Sequence, residues 1–281
     1  MLGNDRIPKI CLQTAAWGCA SLTFGVLVFM AWLSIPVLRA SDTVHILTLP
    51  WLPGQGQFGI GPMILGSLYI SVLSLIMAAP VSFGAAIFIR ITRPGTLGKF
   101  FQHLVEAMTA IPTVVYGFIG IFLIVPLIRE TFVQGSGMCI LSAAIMLSLV
   151  ISPTMILIFS QSISSVPRQY TIAVEAMGAT PAQKFLMIIL PCAWKGILTG
   201  LILGFGRAVG DTLIALMISG NTIDFPRHIL DSARTLTAHI ALVTAADFDS
   251  MEFKTLFVCA LTLYLLTCVG VFFARAAGKR Q

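Results

Sequence analysis

Charge is scarce in this sequence. Only 10% of its 281 residues are Asp, Glu, Lys or Arg, against roughly 25% in an ordinary soluble domain, which excludes a typical soluble enzyme. Metal-ligand spacing is missing as well. Cys11, Cys19, Cys139, Cys192, Cys259 and Cys268 form no paired motif and mostly fall within apolar runs, so they read as small hydrophobes and leave the redox compartment open. His45, His103, His228 and His239 stand apart, without the close Cys/His spacing of a zinc site. No Ser, His and acid combination stands out as a catalytic set. The phosphate-cradling pattern Gly-x-x-x-x-Gly-Lys-Ser/Thr is absent too, so ATP, if it is used, binds to another chain and this one is expected to hold no cofactor. Low-complexity tracts, flexible linkers and convincing internal repeats are also lacking.

What fills the sequence is apolar. Hydrophobic residues make up 57% of it, and several uncharged stretches exceed the ~20 residues that cross the hydrocarbon as a helix. They lack the strict alternation and short period of an outer-membrane barrel. The prediction is an all-α integral membrane protein with a single membrane domain over residues 1–281 and spans near 11–38, 62–89, 107–128, 138–163, 196–220 and 255–274. The first run is too long for a signal-peptide core and no clear small-x-small site follows it, so it reads as a retained span rather than a cleaved leader.

The net charge of +6 does not point to nucleic acid, because the basic residues mainly flank the apolar runs, where they fix orientation. With the N-terminus inside, the cytoplasmic ends and loops hold Arg6, Lys9, Arg90, Arg93, Lys99, Arg168, Lys184, Lys195, Arg275, Lys279 and Arg280. The outer side keeps Arg39, Arg129, Arg227, Arg234 and Lys254. Both termini are therefore expected in the cytoplasm. The outer segment 39–61 is expected to form a packed surface loop, with Trp51 and Phe58 at the interface. The outer segment 221–254 is expected to carry a short helix against the membrane surface or an external partner. Pro80, Pro112, Gly117, Gly120 and Pro153 are candidates for kinks and close packing around a polar path.

Residues 164–195 then lie in the cytoplasm. Within them Gly178 is followed, after nine residues, by Ile188, one residue, Leu190 and Pro191. A glycine there permits a tight turn between short helices, and a Leu-Pro pair is expected to end one helix before the next span. Ala173, Ala176 and Met177 offer a small apolar face and Glu175 a charge for a basic rim. The pattern resembles the coupling loop of bacterial ABC importer permeases, a Glu-Ala-Ala element followed by Gly, nine residues and Ile-x-Leu-Pro, which in that family docks on the ATPase subunit. The family's acidic position falls here on Ile172. The acid stands three residues later at Glu175, on the same helix face.

The fifth span alone carries charges well inside it, Arg207 and Asp211. An arginine or aspartate at a helix centre costs roughly 2.5–3.5 kcal/mol on insertion scales, so both are expected to face protein or a watery path. Four apart on one helix, they are expected to share a face. Two readings are open, a structural ion pair and a site for a transient anion, which the bidentate arginine fork suits.

The stretch Arg207-Ala208-Val209-Gly210-Asp211-Thr212 resembles the Arg-Ala-x-Gly-Glu-Thr motif of phosphate importer permeases, with Asp211 at the Glu position. Residues 105–122, VEAMTAIPTVVYGFIGIF, and 58–68, FGIGPMILGSL, resemble further segments of that family. The ending MISGN at 217–221 favours its PstC-like branch. The resemblance implies a six-span permease of the type I ABC importer (MetI-like) kind in the bacterial inner membrane. It implies phosphate passage at Arg207, Asp211 and Thr212, ATPase coupling through Ala173, Glu175, Ala176, Gly178, Leu190 and Pro191, and a helix break or pathway at Ile111, Pro112 and Thr113. Implied partners are a second, PstA-like permease, two PstB-like ATPases using ATP and Mg, and a PstS-like extracytoplasmic phosphate-binding protein. A permease for sulfate or molybdate and a non-transporting sensor or scaffold of the same fold are the alternatives. Glu106, near the cytoplasmic end of the third span, reads as a structural charge beside Lys99 or His103.

Overall fold

The computed structural model describes residues 6–40, 43–92, 95–133 and 135–278, so Arg93, Lys279 and Arg280 lie outside the described residues. Uncharged apolar sequence must satisfy its backbone internally in lipid, and helices do so. Among the described residues, six are long and apolar enough to cross a membrane: Lys9–Arg39, Gly61–Thr92, Thr113–Phe132, Ile140–Ser164, Pro181–Gly210 and Met251–Phe272. The all-α expectation holds, apart from a minimal outer hairpin.

The bundle is organised around one helix. In α7 (Ile140–Ser164), 72% of the most apolar window is buried, whereas the other spans bury 11–28% of theirs. Packed around α7 are α3 (Gly61–Ile87), α10 (Leu190–Gly210) and α4 (Thr96–Thr109). By contrast α1 (Arg6–Ala40) leans mainly on α13 (Met251–Gly278) and leaves Leu12, Trp17, Leu22, Phe24 and Trp32 exposed. Such a surface suits lipid tails.

Close approach of α10 to α7 has a sequence cause. Gly196, Gly200 and Gly204 recur every fourth residue and form one bare stripe on α10. A Cβ on Gly200 would meet the Phe159 ring at 2.6 Å, and one on Gly204 would meet Met155 Sδ at 2.7 Å.

Two spans depart from the predicted limits. The third does not run from 107. The helix α4 ends at Thr109, Ala110–Pro112 break the chain, and α5 (Thr113–Ile119) restarts it, joined by a π-helical turn at Gly120–Ile124 to α6 (Val125–Phe132). Glu106 therefore belongs to α4, where it meets Gln102 and His103 rather than Lys99. The fifth span is helical from Pro181 to Gly210 and stops there, instead of continuing to 220.

The expectation that Leu190-Pro191 ends a helix is also corrected. The short helix α9 (Pro181–Lys184) passes through a π-helical turn, Phe185–Ile189, straight into α10. Proline lacks an N–H, and in an α-helix its ring strikes the carbonyl four residues back. The wide turn, in which Leu190 N–H reaches Phe185 O, relieves both problems. The turn before Val125-Pro126 uses the same device, with Val125 N–H on Gly120 O.

On the outer side a second core gathers Val37, Ile46, Trp51, Ile60, Met63, Leu236, Val258 and Cys259. The segment after α1 forms a short helix α2 (Thr43–Thr48) and a hairpin of β1 (Trp51–Leu52) with β2 (Gln57–Phe58). Trp51 is buried, not interfacial. The helix expected on the surface in 221–254 is α12 (Leu236–Val243), and its first half is internal. Its first turn, Leu236 to His239, is buried against α3 and α13, and Leu236 N–H donates to Ser67 Oγ at 2.8 Å. Further along the helix Ala241 and Leu242 are exposed.

Candidate functional site

Arg207 sits in the last turn of α10, and its Nη1 donates to Thr154 Oγ1 at 2.5 Å. Thr154 lies just past the midpoint of α7, and both it and Arg207 are half-buried between the two helices. Of the two readings left open for Arg207 and Asp211, the ion pair is not formed: no approach within 4.0 Å joins these two residues. The reason is local. Helix α10 ends at Gly210, Asp211 adopts extended backbone (φ −73°, ψ 126°), and a four-residue spacing no longer keeps both side chains on one face.

Asp211 does something else. Its Oδ1 accepts the Ile214 N–H at 2.9 Å and so caps α11 (Leu213–Ile218), while its carbonyl accepts from Thr237 Oγ1 of α12 at 2.9 Å. A short polar side chain that bonds the backbone three residues on competes with continued helix and favours a restart. Thr212 takes the residue position immediately before α11. The sequence carried this signal, a glycine and an Asp directly before the apolar run LIALMI, as it carried the glycine stripe of α10. No local pattern pointed to Thr154 or Thr237, since both contacts join residues distant in sequence.

The result is an arginine half-buried in an apolar bundle, whose side-chain partner is one hydroxyl, beside an interrupted helix. A guanidinium offers five donors and no acceptor, so most of its capacity remains for oxygen ligands. Broken membrane helices are where transporters build solute sites. The other break, at Ile111, Pro112 and Thr113, is not hydrogen-bonded to Arg207. The helix that follows it, α5, nevertheless packs on α11, close enough that a Cβ on Gly117 would meet Met217 Sδ at 2.5 Å.

Away from this centre, α8 (Arg168–Ala176) has no buried residue. Gly178 turns the chain with φ +79°, and Thr180 caps α9 in a reciprocal capping box with Gln183, a Thr-x-x-Gln signal legible in the sequence. Ala173, Glu175 and Ala176 lie on exposed α8, whereas Leu190 and Pro191 lie inside the fifth span. Glu175 is not a free charge, because Lys184 Nζ pairs with it at 2.5 Å and ties α8 to α9. Tyr170, Ile172 and Met177, at 84% exposure for the last, leave a larger apolar surface than the alanines alone. On α4, hydrogen bonds from Gln102 and then His103 hold the Glu106 carboxyl below its ordinary value. In the outer loop, backbone N–H groups of Arg227 and His228 do the same for Asp231.

Residues 82–281 match the family described as binding-protein-dependent transport system inner membrane component. The chain belongs to this family. As a member of the family it is a multi-pass inner-membrane permease of an ABC transport system that works with a binding protein. It is 32% identical over 251 residues to the probable ABC transporter permease protein YqgH of Bacillus subtilis, covering 88% of this chain and 81% of that protein. It is 28% identical over 269 residues to the phosphate transport system permease protein PstC of Pasteurella multocida, covering 89% and 82%. Among solved structures, a bacterial alginate ABC transporter superposes with a TM-score of 0.67 at 16% identity over 98% of this permease and 96% of that chain. The inward-facing MetNI methionine transporter gives 0.60 at 18% identity over 77% and 95%. At these identities the structures establish the type I importer fold alone.

Proposed function

We propose that this permease imports inorganic phosphate, passing the anion over Arg207 at the break in the fifth span. The observation that carries the reading is that Arg207, half-buried between α10 and α7, has a threonine hydroxyl and no carboxylate as its partner. Such a cation is poised for an oxyanion, which supplies the missing charge and two acceptor oxygens for the fork. Likeness to PstC proteins supports phosphate as that oxyanion. Asp211 refines the choice. With Oδ1 engaged by Ile214 N–H, Oδ2 is left to accept a hydrogen bond from a protonated phosphate oxygen, which sulfate lacks. Thr212 adds a hydroxyl beside it, and the break at Ile111, Pro112 and Thr113 gives the path flexibility on a neighbouring element.

Drive comes from outside the chain. ATP with Mg is used by two ATPase subunits of the PstB kind, docked on the cytoplasmic corner of Ala173, Glu175, Ala176 and Gly178, with Tyr170, Ile172 and Met177 widening the apolar contact. Motion entering there is carried by the continuous helix from Pro181 through Leu190 and Pro191 to Arg207. Both termini face the cytoplasm, a PstA-like permease completes the path, and a PstS-like protein delivers phosphate from outside.

Uptake of labelled phosphate by the reconstituted importer tests this. Arg207→Ala is expected to abolish uptake at matched assembly, and competition by sulfate and molybdate is expected to be weak. Uptake unchanged by Arg207→Ala overturns the anion role, and preferred uptake of sulfate or molybdate overturns the choice of phosphate.

A further inference from the structure

Helix α4 carries two faces of opposite character. Leu97, Phe100, Phe101 and Leu104 recur at i, i+3, i+4 and i+7, and Lys99, Gln102, His103 and Glu106 repeat that spacing two residues later. Two residues turn a helix by about 200°, so the apolar and the polar set lie on opposite sides. Within α4 only Gly98 and Val105, on the flank between the two sets, are buried. The polar set is bonded within itself: Gln102 Nε2 donates to Glu106 Oε1 at 2.8 Å, and His103 Nδ1 lies 3.2 Å from Glu106 Oε2. The apolar set is uncovered, from 37% exposure at Phe101 to 61% at Phe100.

Depth bears on what covers that face. Val105 packs with Ile89 and Ile156. Ile156 precedes the end of α7, Ser164, by eight residues, which at 1.5 Å per residue is about 12 Å inside that end. Helix α4 therefore lies alongside the spans rather than out with the exposed corner of α8 and α9.

The uncovered face also continues the outer surface of a span. Tyr69, Ile76, Pro80 and Gly84 are exposed on one side of α3, and the chain then enters the π-helical turn Phe88–Thr92 that closes the same span. The Phe88 ring meets Phe101 with centroids 5.4 Å apart, and Phe101 meets Phe100 at 5.9 Å, both edge to face. Apolar surface thus passes from the second span onto α4.

We propose that α4 is an interfacial helix whose partner is the lipid surface. Leu97, Phe100, Phe101 and Leu104 sit among the acyl chains of the leaflet on the side of α8 and α9, while Lys99, His103 and Glu106 face water. A helix with one apolar and one polar face lies in the boundary plane in this way. Because α4 runs directly into the break at Ala110–Pro112, lipid holds the leading end of that break at the membrane boundary. The assignment does not depend on which anion is carried.

Photocrosslinking distinguishes lipid from a protein neighbour. The complete importer is reconstituted in liposomes of phosphatidylethanolamine and phosphatidylglycerol, with p-benzoylphenylalanine replacing one residue at a time. Irradiation is expected to give phospholipid adducts, read by mass spectrometry, from Phe100 and Leu104, and to give none from Lys99 and His103. Leu97 takes the place of either apolar position that fails to assemble. Adducts from Phe100 and Leu104 to another subunit in place of lipid overturn the proposal. So does an absence of lipid adducts at those positions, or an equal yield of them from the two faces.

Discussion

Thr154→Val isolates what holds Arg207 when no anion is present. The substitution keeps the shape of the side chain and deletes the hydroxyl that accepts from Nη1 at 2.5 Å. A hydrogen bond to a charged group contributes ~1.5–3 kcal/mol. No carboxylate is in position to replace it, because Asp211 is turned to cap α11. The empty transporter is therefore expected to lose about 1.5–3 kcal/mol, or roughly 3–12 °C in its midpoint at ~2–4 °C per kcal/mol. A bound oxyanion restores partners to the fork, so saturating phosphate is expected to close much of that gap. By linkage the variant is then expected to bind phosphate more tightly than the parent, by at most about 10- to 150-fold if the gap closes fully. Thermal unfolding of the purified importer, with and without phosphate, reads both quantities. An unchanged midpoint, or an equal loss in the two conditions, would refute the view that Thr154 stands in for the anion.

Gly178→Ala places a side chain at φ +79°, where nothing lies within 4 Å of the new Cβ, so its cost is backbone strain of about 1–2 kcal/mol. It is expected to lower transport-coupled ATP hydrolysis without changing helix content by circular dichroism; unaltered coupling counts against the α8–α9 corner as the docking site. Gly200→Val is expected to destabilise the bundle by about 1–3 kcal/mol by overpacking Phe159, and Phe159→Leu in the same chain to recover part of the loss in midpoint. His239 is held down to about 4 from 6.5, by burial first and by Arg234 second. The unfolded chain then takes the proton more readily between those values. Stability is full above pH 6.5 and falls as pH drops, by about 2 kcal/mol at pH 5, and a pH series in phosphate-free buffer should lose this slope in His239→Gln.

Much of the fold was legible because apolar runs of membrane length have few other outcomes, and the charge pattern gave them a direction. The limits of the third and fifth spans were not, because hydropathy is blind to interruptions made by a few residues. The Asp211 cap breaks a helix whose side chains remain apolar on both sides, and Ala107 to Ile111 before Pro112 are apolar enough to blur the end of α4. Leu190-Pro191 misled in the opposite sense, since a π-helical turn carries the helix through a proline that ordinarily stops it. For the candidate site, Arg207 and Asp211 stood out through the cost of charge in lipid, yet their relation was misjudged with the helix. Thr154 and Thr237 depend on contacts across the bundle and leave no periodic trace.

Phosphate is proposed to cross at Arg207, driven by ATP hydrolysis on partner subunits. The most direct test is phosphate accumulation in proteoliposomes containing the whole importer, supplied with binding protein outside and ATP inside, comparing the parent chain with Arg207→Ala at equal assembly and ATPase binding. ATP-dependent accumulation by the parent and none above background for Arg207→Ala is expected; equal accumulation by the two would overturn the Arg207 route.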